Sequence, residues 1–185
     1  MRVALVGGVF DPPHLAHRAM IRFCARWFDE VWVVPAGIPA HRRVEGIADP
    51  ERRARWAAAM IRTIPRARLL RWEVERRKPT PTIETLTMLA ERYPGVRWVL
   101  AIGADEFAAL PRWVRWPEHA SFAAFLVFAR VGVTIAGDHG LVRRNLAALA
   151  RAPQPGTYAL APAPPAVSST ALRAQLARGD PSALG

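Results

Sequence analysis

Val3, Ala4, Leu5 and Val6 form an uninterrupted apolar run that stops at Gly7 and Gly8, the pattern of a buried parallel strand followed by a sharp turn. From Leu15 the period changes. Leu15, Ala19, Phe23 and Trp27 recur every four residues and predict a helix with that face buried. The alternation then continues along the chain. Val31 to Pro35 reads as a second strand, and Ala36 to Asp49 as a loop containing Gly, Pro and Arg. Asp49 caps the next helix with Pro50 at its first position, and Ala57, Met60, Ile61 and Ile64 form its buried stripe. A third strand is predicted near Arg68 to Trp72, then a basic, Pro-rich loop through Pro81. Thr82 opens a helix on which Ile83, Leu86, Leu89 and Tyr93 share a face. Arg97 to Ile102 and Phe122 to Phe128 read as strands, Leu141 to Ala150 as a helix, and Tyr158 to Leu160 as a short strand. Ser168, Ser169 and Thr170 start the last helix after the Pro- and Ala-rich connection Ala161 to Ala166. Strands alternating with helices imply an α/β protein, a doubly wound parallel sheet with helices on both faces.

Length and composition narrow this picture. The 185 residues suit one domain spanning 1–185, with 51% hydrophobic and 22% charged residues, as in a globular enzyme. A lone Cys, Cys24, excludes an internal disulfide and fits a reducing compartment. The first apolar run is too short for a signal or membrane segment, so a soluble cytoplasmic protein with no membrane association is expected. The 26 basic residues against 15 acidic give a net charge of +11, and Lys78 is the single lysine. That charge is compatible with nucleic acid, acidic lipid or polyanionic small substrates, and composition does not choose among them.

The candidate chemistry sits where the first strand gives way to the first helix. Residues 7 to 17 read GGVFDPPHLAH, which places His14 and His17 in the first helical turn. The free N–H groups and the positive end of the helix dipole there favour an anion by roughly 0.3 to 2 kcal/mol. Two imidazoles beside such a site suit phosphate. Helix capping by His14 with His17 as filler is the plainer alternative. A metal is the third, yet the chain has no His-Glu-x-x-His pattern and no third ligand close by. Gly103-Ala104-Asp105 ends another strand at a position where ligands gather in parallel sheets, although Asp105 taken alone reads as an N-cap.

Five segments in order, GGVFDPPHLAH at 7–17, PAGIPAHRR at 35–43, PTPTIETL at 79–86, IGADEFAALPRWVRW at 102–116 and SSTALR at 168–173, resemble bacterial nicotinate mononucleotide adenylyltransferases. The resemblance implies a Rossmann-like nucleotidyltransferase fold and condensation of nicotinate mononucleotide with ATP, with Mg2+ present, to deamido-NAD and pyrophosphate. It implies that His14 and His17 contact the ATP phosphates, with the backbone around Gly8, Val9 and Phe10 cradling the same region. Ser168, Ser169, Thr170 and Arg173 then approach from the last helix, Arg173 beside the leaving pyrophosphate. Gly103 and Asp105 match positions at the ATP ribose. His41 and Arg42 match a phosphate-binding loop, Thr82 and the Ile83 backbone match contacts to the nicotinate carboxylate, Trp113 matches an aromatic stacked on the pyridine ring, and Arg130 matches a recurrent arginine. The implied partners are these two small molecules, without nucleic acid and without a protein metal site, and with room for a homo-oligomer.

Val9 stands where Ser or Thr is usual, Ala16 for Gly, Ala40 for Pro and Pro81 for Tyr, and the chain stops at Gly185 near where the family continues into a final helix. Related enzymes with another acceptor, such as nicotinamide mononucleotide or phosphopantetheine, and a non-catalytic basic module binding nucleotide or nucleic acid, are the alternatives.

Overall fold

The computed structural model describes residues 1–39, 46–167, 169 and 172–174. Its strands are β1 (Arg2–Gly8), β2 (Glu30–Pro35), β3 (Ala67–Leu69), β4 (Arg97–Gly103), β5 (Ala123–Phe128), β6 (Val142–Arg143) and β7 (Thr157–Ala161). They form one sheet in the order β3-β2-β1-β4-β5-β7-β6, with every pairing parallel. The helices are α1 (Leu15–Trp27), α2 (Pro50–Ile61), α3 (Trp72–Arg76), α4 (Thr82–Arg92), α5 (Ala104–Ala109) and α6 (Leu146–Arg151). Side chains alternate across each strand, so β1 serves two cores at once. Ala4 and Val6 pack with Ile21 and Cys24 of α1 and Ala57 and Ile61 of α2. Val3 and Leu5 pack on the other face with Leu86 and Leu89 of α4 and Phe107 of α5. This is the doubly wound α/β architecture that the alternation of apolar periods implies.

The chain runs outward through β1, β2 and β3, then returns to lay β4 on the other side of β1. Loops leaving the carboxyl ends of β1 and β4 therefore diverge and open a crevice between them, the place where ligands bind in such sheets.

Four local expectations change. Leu15 is 54% exposed, and the buried residues of α1 are Ala16, Ile21 and Cys24. A strict four-residue spacing advances about 40° per step on a helix, so the line from Leu15 to Trp27 drifts about 120° off the core-facing stripe. Gly7 and Gly8 belong to β1 and make no turn; the positive φ of 54° falls on Phe10, whose ring is buried. The expected third strand is only Ala67–Leu69, and α3 occupies a stretch read as strand end and loop. The expected helix from 141 to 150 is split: Val142 and Arg143 pair with β7, and the Asn145 side chain accepts the Ala148 N–H at 2.8 Å to cap α6. Apolar periodicity carries little signal over two to five residues, and neighbours in the fold decide such short pieces.

The remaining elements follow the sequence closely. Asp49 accepts the Arg52 N–H at 2.9 Å with Pro50 behind it, which starts α2 where the capping signal lies. On α4, Ile83, Leu86 and Leu89 are fully buried. Tyr93 then packs edge-on against Trp32 at 5.0 Å and closes the end of that core.

Candidate active site

A cavity of about 670 Å3 opens at the crevice between β1 and β4. Its floor is the end of β1 and the start of α1. The His14 and His17 rings stack there with centroids 3.8 Å apart, and the His17 ring lies 4.6 Å from that of Phe10. The backbone N–H of His14 donates to His17 Nδ1 at 3.3 Å. That acceptor role assigns the proton of a neutral His17 to Nε2. Gly8 makes room for this arrangement, since a methyl group on it would come within 3.3 Å of the Phe10 ring and 3.6 Å of His17 Nε2. His14 Nδ1 is buried without a hydrogen-bond partner among the described residues, a cost that an anion or water donor in the cavity would remove.

Burial holds both imidazoles neutral. The pKa of His17 is lowered to about 3 by desolvation and then by its His14 neighbour. That of His14 is lowered to about 4 by desolvation and then by the positive charge of Arg130. At neutral pH the pair therefore offers N–H dipoles, not charges, to whatever occupies the floor.

The rest of the wall comes from both halves of the sheet. Gly8, Val9, Phe10, His14, His17, Gly103, Asp105, Thr82, Trp113, Arg130, Ser169 and Arg173 all line the cavity, so the structure brings together most of the residues singled out from the sequence. Asp105 does not cap α5, whose N-cap is Gly103; its carboxylate pairs with Arg130 across the mouth. Ile83 presents no side chain to the cavity because that side chain is fully buried. Ile83 itself is absent from the cavity lining, where Thr82 stands next to it in the first turn of α4. His41, Arg42, Ser168 and Thr170 lie outside the described residues. The proline-rich connection supplies Pro164, Pro165, Ala166 and Val167 to the rim.

Three buried charged residues escaped the sequence reading. Arg53, on α2, is wholly buried and donates to four backbone carbonyls: Ala48 at 3.0 Å, Val9 and Ala36 at 2.7 Å each, and Gly37 at 2.5 Å. It thus ties the loops after β1 and β2 to the start of α2. Asp11 is 3% exposed; its Oδ1 accepts the Ala48 N–H at 3.3 Å, and Arg173 donates to its carbonyl at 2.5 Å. Ser169 donates to the Pro12 carbonyl at 3.0 Å, so the segment after β7 docks on the same loop that carries the histidines. Glu73, on α3, lines the far end of the cavity. The available signal is helical position: Arg53 stands four residues before Ala57 and eight before Ile61, on the apolar stripe, whereas the exposed Arg52 and Arg55 lie off it.

A family model described as cytidylyltransferase-like matches residues 5–175. This chain belongs to the cytidylyltransferase-like family. Its relatives include a probable nicotinate-nucleotide adenylyltransferase of Methylibium petroleiphilum, 34% identical over 96% of this chain and 80% of the relative. The nicotinate-nucleotide adenylyltransferase of Bacillus subtilis is 31% identical over 76% of each chain. A probable one of Halalkalibacterium halodurans is 36% identical, and there the match spans 72% of this chain and 66% of the relative's length. Among solved structures, nicotinic acid mononucleotide adenylyltransferase of Plasmodium falciparum, complexed with NaAD, superposes with a TM-score of 0.72. At 21% identity over 95% of this chain and 83% of that one, it shares the fold.

Within this family member, the two ends of the cavity differ in character. The β1–α1 end is lined by His14, His17, Ser169 and Arg173, all hydrogen-bond donors. The α4 end is lined by Thr80, Thr82, Thr85, Glu73 and the Trp113 ring. Trp113 is half-buried and lines the cavity, with its ring edge-on to His119 at 5.3 Å. Trp116, in contrast, packs on Phe125 at 5.9 Å and belongs to the core.

Among the described residues, no three His, Cys, Asp or Glu side chains come together as a metal site, and no helix is long and apolar enough to cross a membrane.

Proposed function

We propose that the cavity binds ATP at its β1–α1 end and nicotinate mononucleotide at its α4 end and joins them. The product is deamido-NAD, with release of pyrophosphate, a step of NAD biosynthesis. The observation that carries this reading is the stacked, neutral His14–His17 pair at the helix start, facing one cavity with Thr82 and Trp113. The relatives named above, nicotinate-nucleotide adenylyltransferases by their descriptions, support the same reaction.

A phosphate oxygen of the mononucleotide attacks the α-phosphorus of ATP. The new P–O bond forms as the bond to the β-phosphate oxygen breaks, and the electron pair leaves on pyrophosphate. No protein nucleophile is needed. The protein has to hold two anions in line and meet the charge growing on the leaving group, and orientation alone is worth roughly 7 to 11 kcal/mol. His17 Nε2–H and His14 donate to the phosphates at the N-terminus of α1, together with backbone N–H groups near Val9 and Phe10. Ser169 and Arg173 are assigned to the same oxygens, and by the resemblance so are Ser168 and Thr170. Arg173 is held for this task by Asp11. Gly103 and Asp105 receive the ribose, with Arg130 locking the Asp105 carboxylate. Thr82 and the Ile83 N–H, free in the first turn of α4, take the ring carboxylate while Trp113 stacks on the pyridine. His41 and Arg42 are assigned to the mononucleotide phosphate.

The donor set around the phosphates is nitrogen and hydroxyl, and the nearby carboxylates Asp11 and Asp105 are engaged by Arg173 and Arg130. A divalent cation therefore fits this site as an ion carried on the triphosphate, not as one caged by the protein. Magnesium so bound would neutralise phosphate charge. The single thiol, Cys24, is buried and free, in keeping with a reducing cytoplasmic setting.

The test is pyrophosphate release from ATP, magnesium and nicotinate mononucleotide by the purified protein, with His17→Ala as control. Release at least a hundredfold above the control supports the reading. Equal rates overturn it.

A further inference from the structure

Glu73 lines the acceptor end of the cavity, and among the described residues its carboxyl has no ion-pair partner. It is 9% exposed, and Thr85 Oγ1 donates to its Oε1 at 2.7 Å. Its Oε2 has no hydrogen-bond partner among the described residues. Thr85 stands one turn along α4 from Thr82, on the same face, and all three residues line the cavity. The placement is rigid. The Glu73 backbone lies so close to Gly37 that a methyl group there would sit 2.1 Å from the Glu73 carbonyl oxygen, and Gly37 is itself pinned by Arg53.

We propose that Glu73 is a specificity-determining residue for the acceptor. As a neutral acid it lets the ring end of the cavity hold a carboxylate, and as an anion it turns the preference toward the corresponding amide. This rests on the reading that the cavity takes a pyridine mononucleotide. Among the described residues no charged group forms an ion pair with Glu73, although Arg76 favours its anion from a distance. On its own helix, Arg76 pairs with Glu84 and lies over the Trp72 ring; Lys78 reaches the same Glu84 at 3.8 Å. From α4 it meets the uncharged Thr85, and from the α2 side Arg53 spends its donors on backbone carbonyls.

Burial raises the Glu73 pKa to about 7, against the opposing pulls of the Thr85 hydrogen bond and of Arg76. Near neutral pH the acid and its anion are then both populated. A pyridine carboxylate is ionised throughout this range, so a Glu73 anion confronts it with like charge in a partly desolvated cavity, whereas an amide feels no such repulsion.

The experiment compares KM for nicotinate mononucleotide with KM for nicotinamide mononucleotide, or its inhibition constant where it is not turned over, from pH 6 to 9 at saturating ATP and magnesium. The ribose phosphate titrates identically in both, so the ratio isolates the ring substituent. In the wild type the acid-to-amide ratio is expected to rise at least fivefold with pH, about a midpoint near neutrality. Glu73→Gln, an isostere of the neutral acid, is expected to flatten the profile. Thr85→Val removes a donor to the anion, so its midpoint is expected to move to higher pH. Superimposable wild-type and Glu73→Gln profiles, with both proteins folded by circular dichroism, overturn the proposal. Absence of pyrophosphate release by the wild type with either mononucleotide overturns the functional reading itself, and this proposal with it.

Discussion

At the scale of single residues, the proposed reaction turns on the histidine pair, whose protonation state follows from burial. His17 donates through Nε2 because its Nδ1 is already engaged by the His14 N–H. His17→Ala is expected to lower kcat by about 10²- to 10³-fold, the usual effect of losing one well-placed donor to developing negative charge. His17→Gln, which can set an amide N–H near the Nε2 position, is expected to recover part of that loss; equal kcat for the two variants would place the role of His17 elsewhere. The depressed pKa values also make a stability prediction. In the unfolded chain both imidazoles take up protons below about pH 6.5, whereas in the folded protein they do so only near pH 4 and 3. The unfolded state therefore binds more protons across that window, and stability falls as pH drops through it. Melting temperature is expected to decline between pH 6.5 and 4, with a shallower slope in His17→Gln. An unchanged slope would mean that His17 does not contribute to the acid destabilisation.

At the scale of elements, the site depends on loops that have no regular structure of their own and are held by one buried guanidinium. Arg53 satisfies carbonyls from three segments, after β1, after β2 and before α2. Replacing it by Met leaves those carbonyls without partners in a dry place, and a loss of about 3–5 kcal/mol is expected in urea unfolding. Arg53→Lys keeps the charge but not the fork and is expected to fall between. Gly37→Ala tests the neighbouring joint. Its new methyl group meets the backbone of α3 at 2.1 Å, so the loop has to move, and a rise in KM for the mononucleotide is expected with a smaller change for ATP. Equal changes for both substrates would mean that the joint does not serve the acceptor end selectively. These joints mark the limit of what the sequence reveals. Long elements with a sustained apolar period, β1, β4, β5, α2 and α4, are legible, and so is the switch point their order creates. The two-residue β6 and five-residue α3 are not, because so few residues carry no period. His14, His17, Thr82 and Trp113 could be singled out from the motifs around them. Asp11 and Glu73 gain their meaning only from burial, whereas Arg53 falls on the apolar stripe of α2, a sign of burial that its charge obscures.

At the scale of the whole molecule, the switch in strand order puts the cavity at the carboxyl edge of the sheet, and the net charge of +11 surrounds it with a positive field. Both proposed substrates are anionic, so the field should speed their capture while leaving the bound complex alone. Two physical effects separate here. Long-range attraction between exposed charges is screened over about 10 Å at 0.1 M salt, whereas the donors inside the cavity act at contact and are screened far less. Raising monovalent salt from 20 to 500 mM at fixed free magnesium is therefore expected to lower kcat/KM for ATP and for nicotinate mononucleotide by about tenfold, with kcat changing less than twofold. A kcat/KM independent of salt would show that the arginine surface has no part in substrate capture. Charge-reversal of two exposed arginines remote from the cavity, Arg22→Glu with Arg26→Glu on α1, separates a general field from a local contact. The general field predicts a shallower salt slope with kcat retained, because the summed charge drops by four while no cavity residue changes. If the slope stayed as steep, the salt dependence would have to come from charges at the cavity mouth, where Arg130 stands beside Asp105.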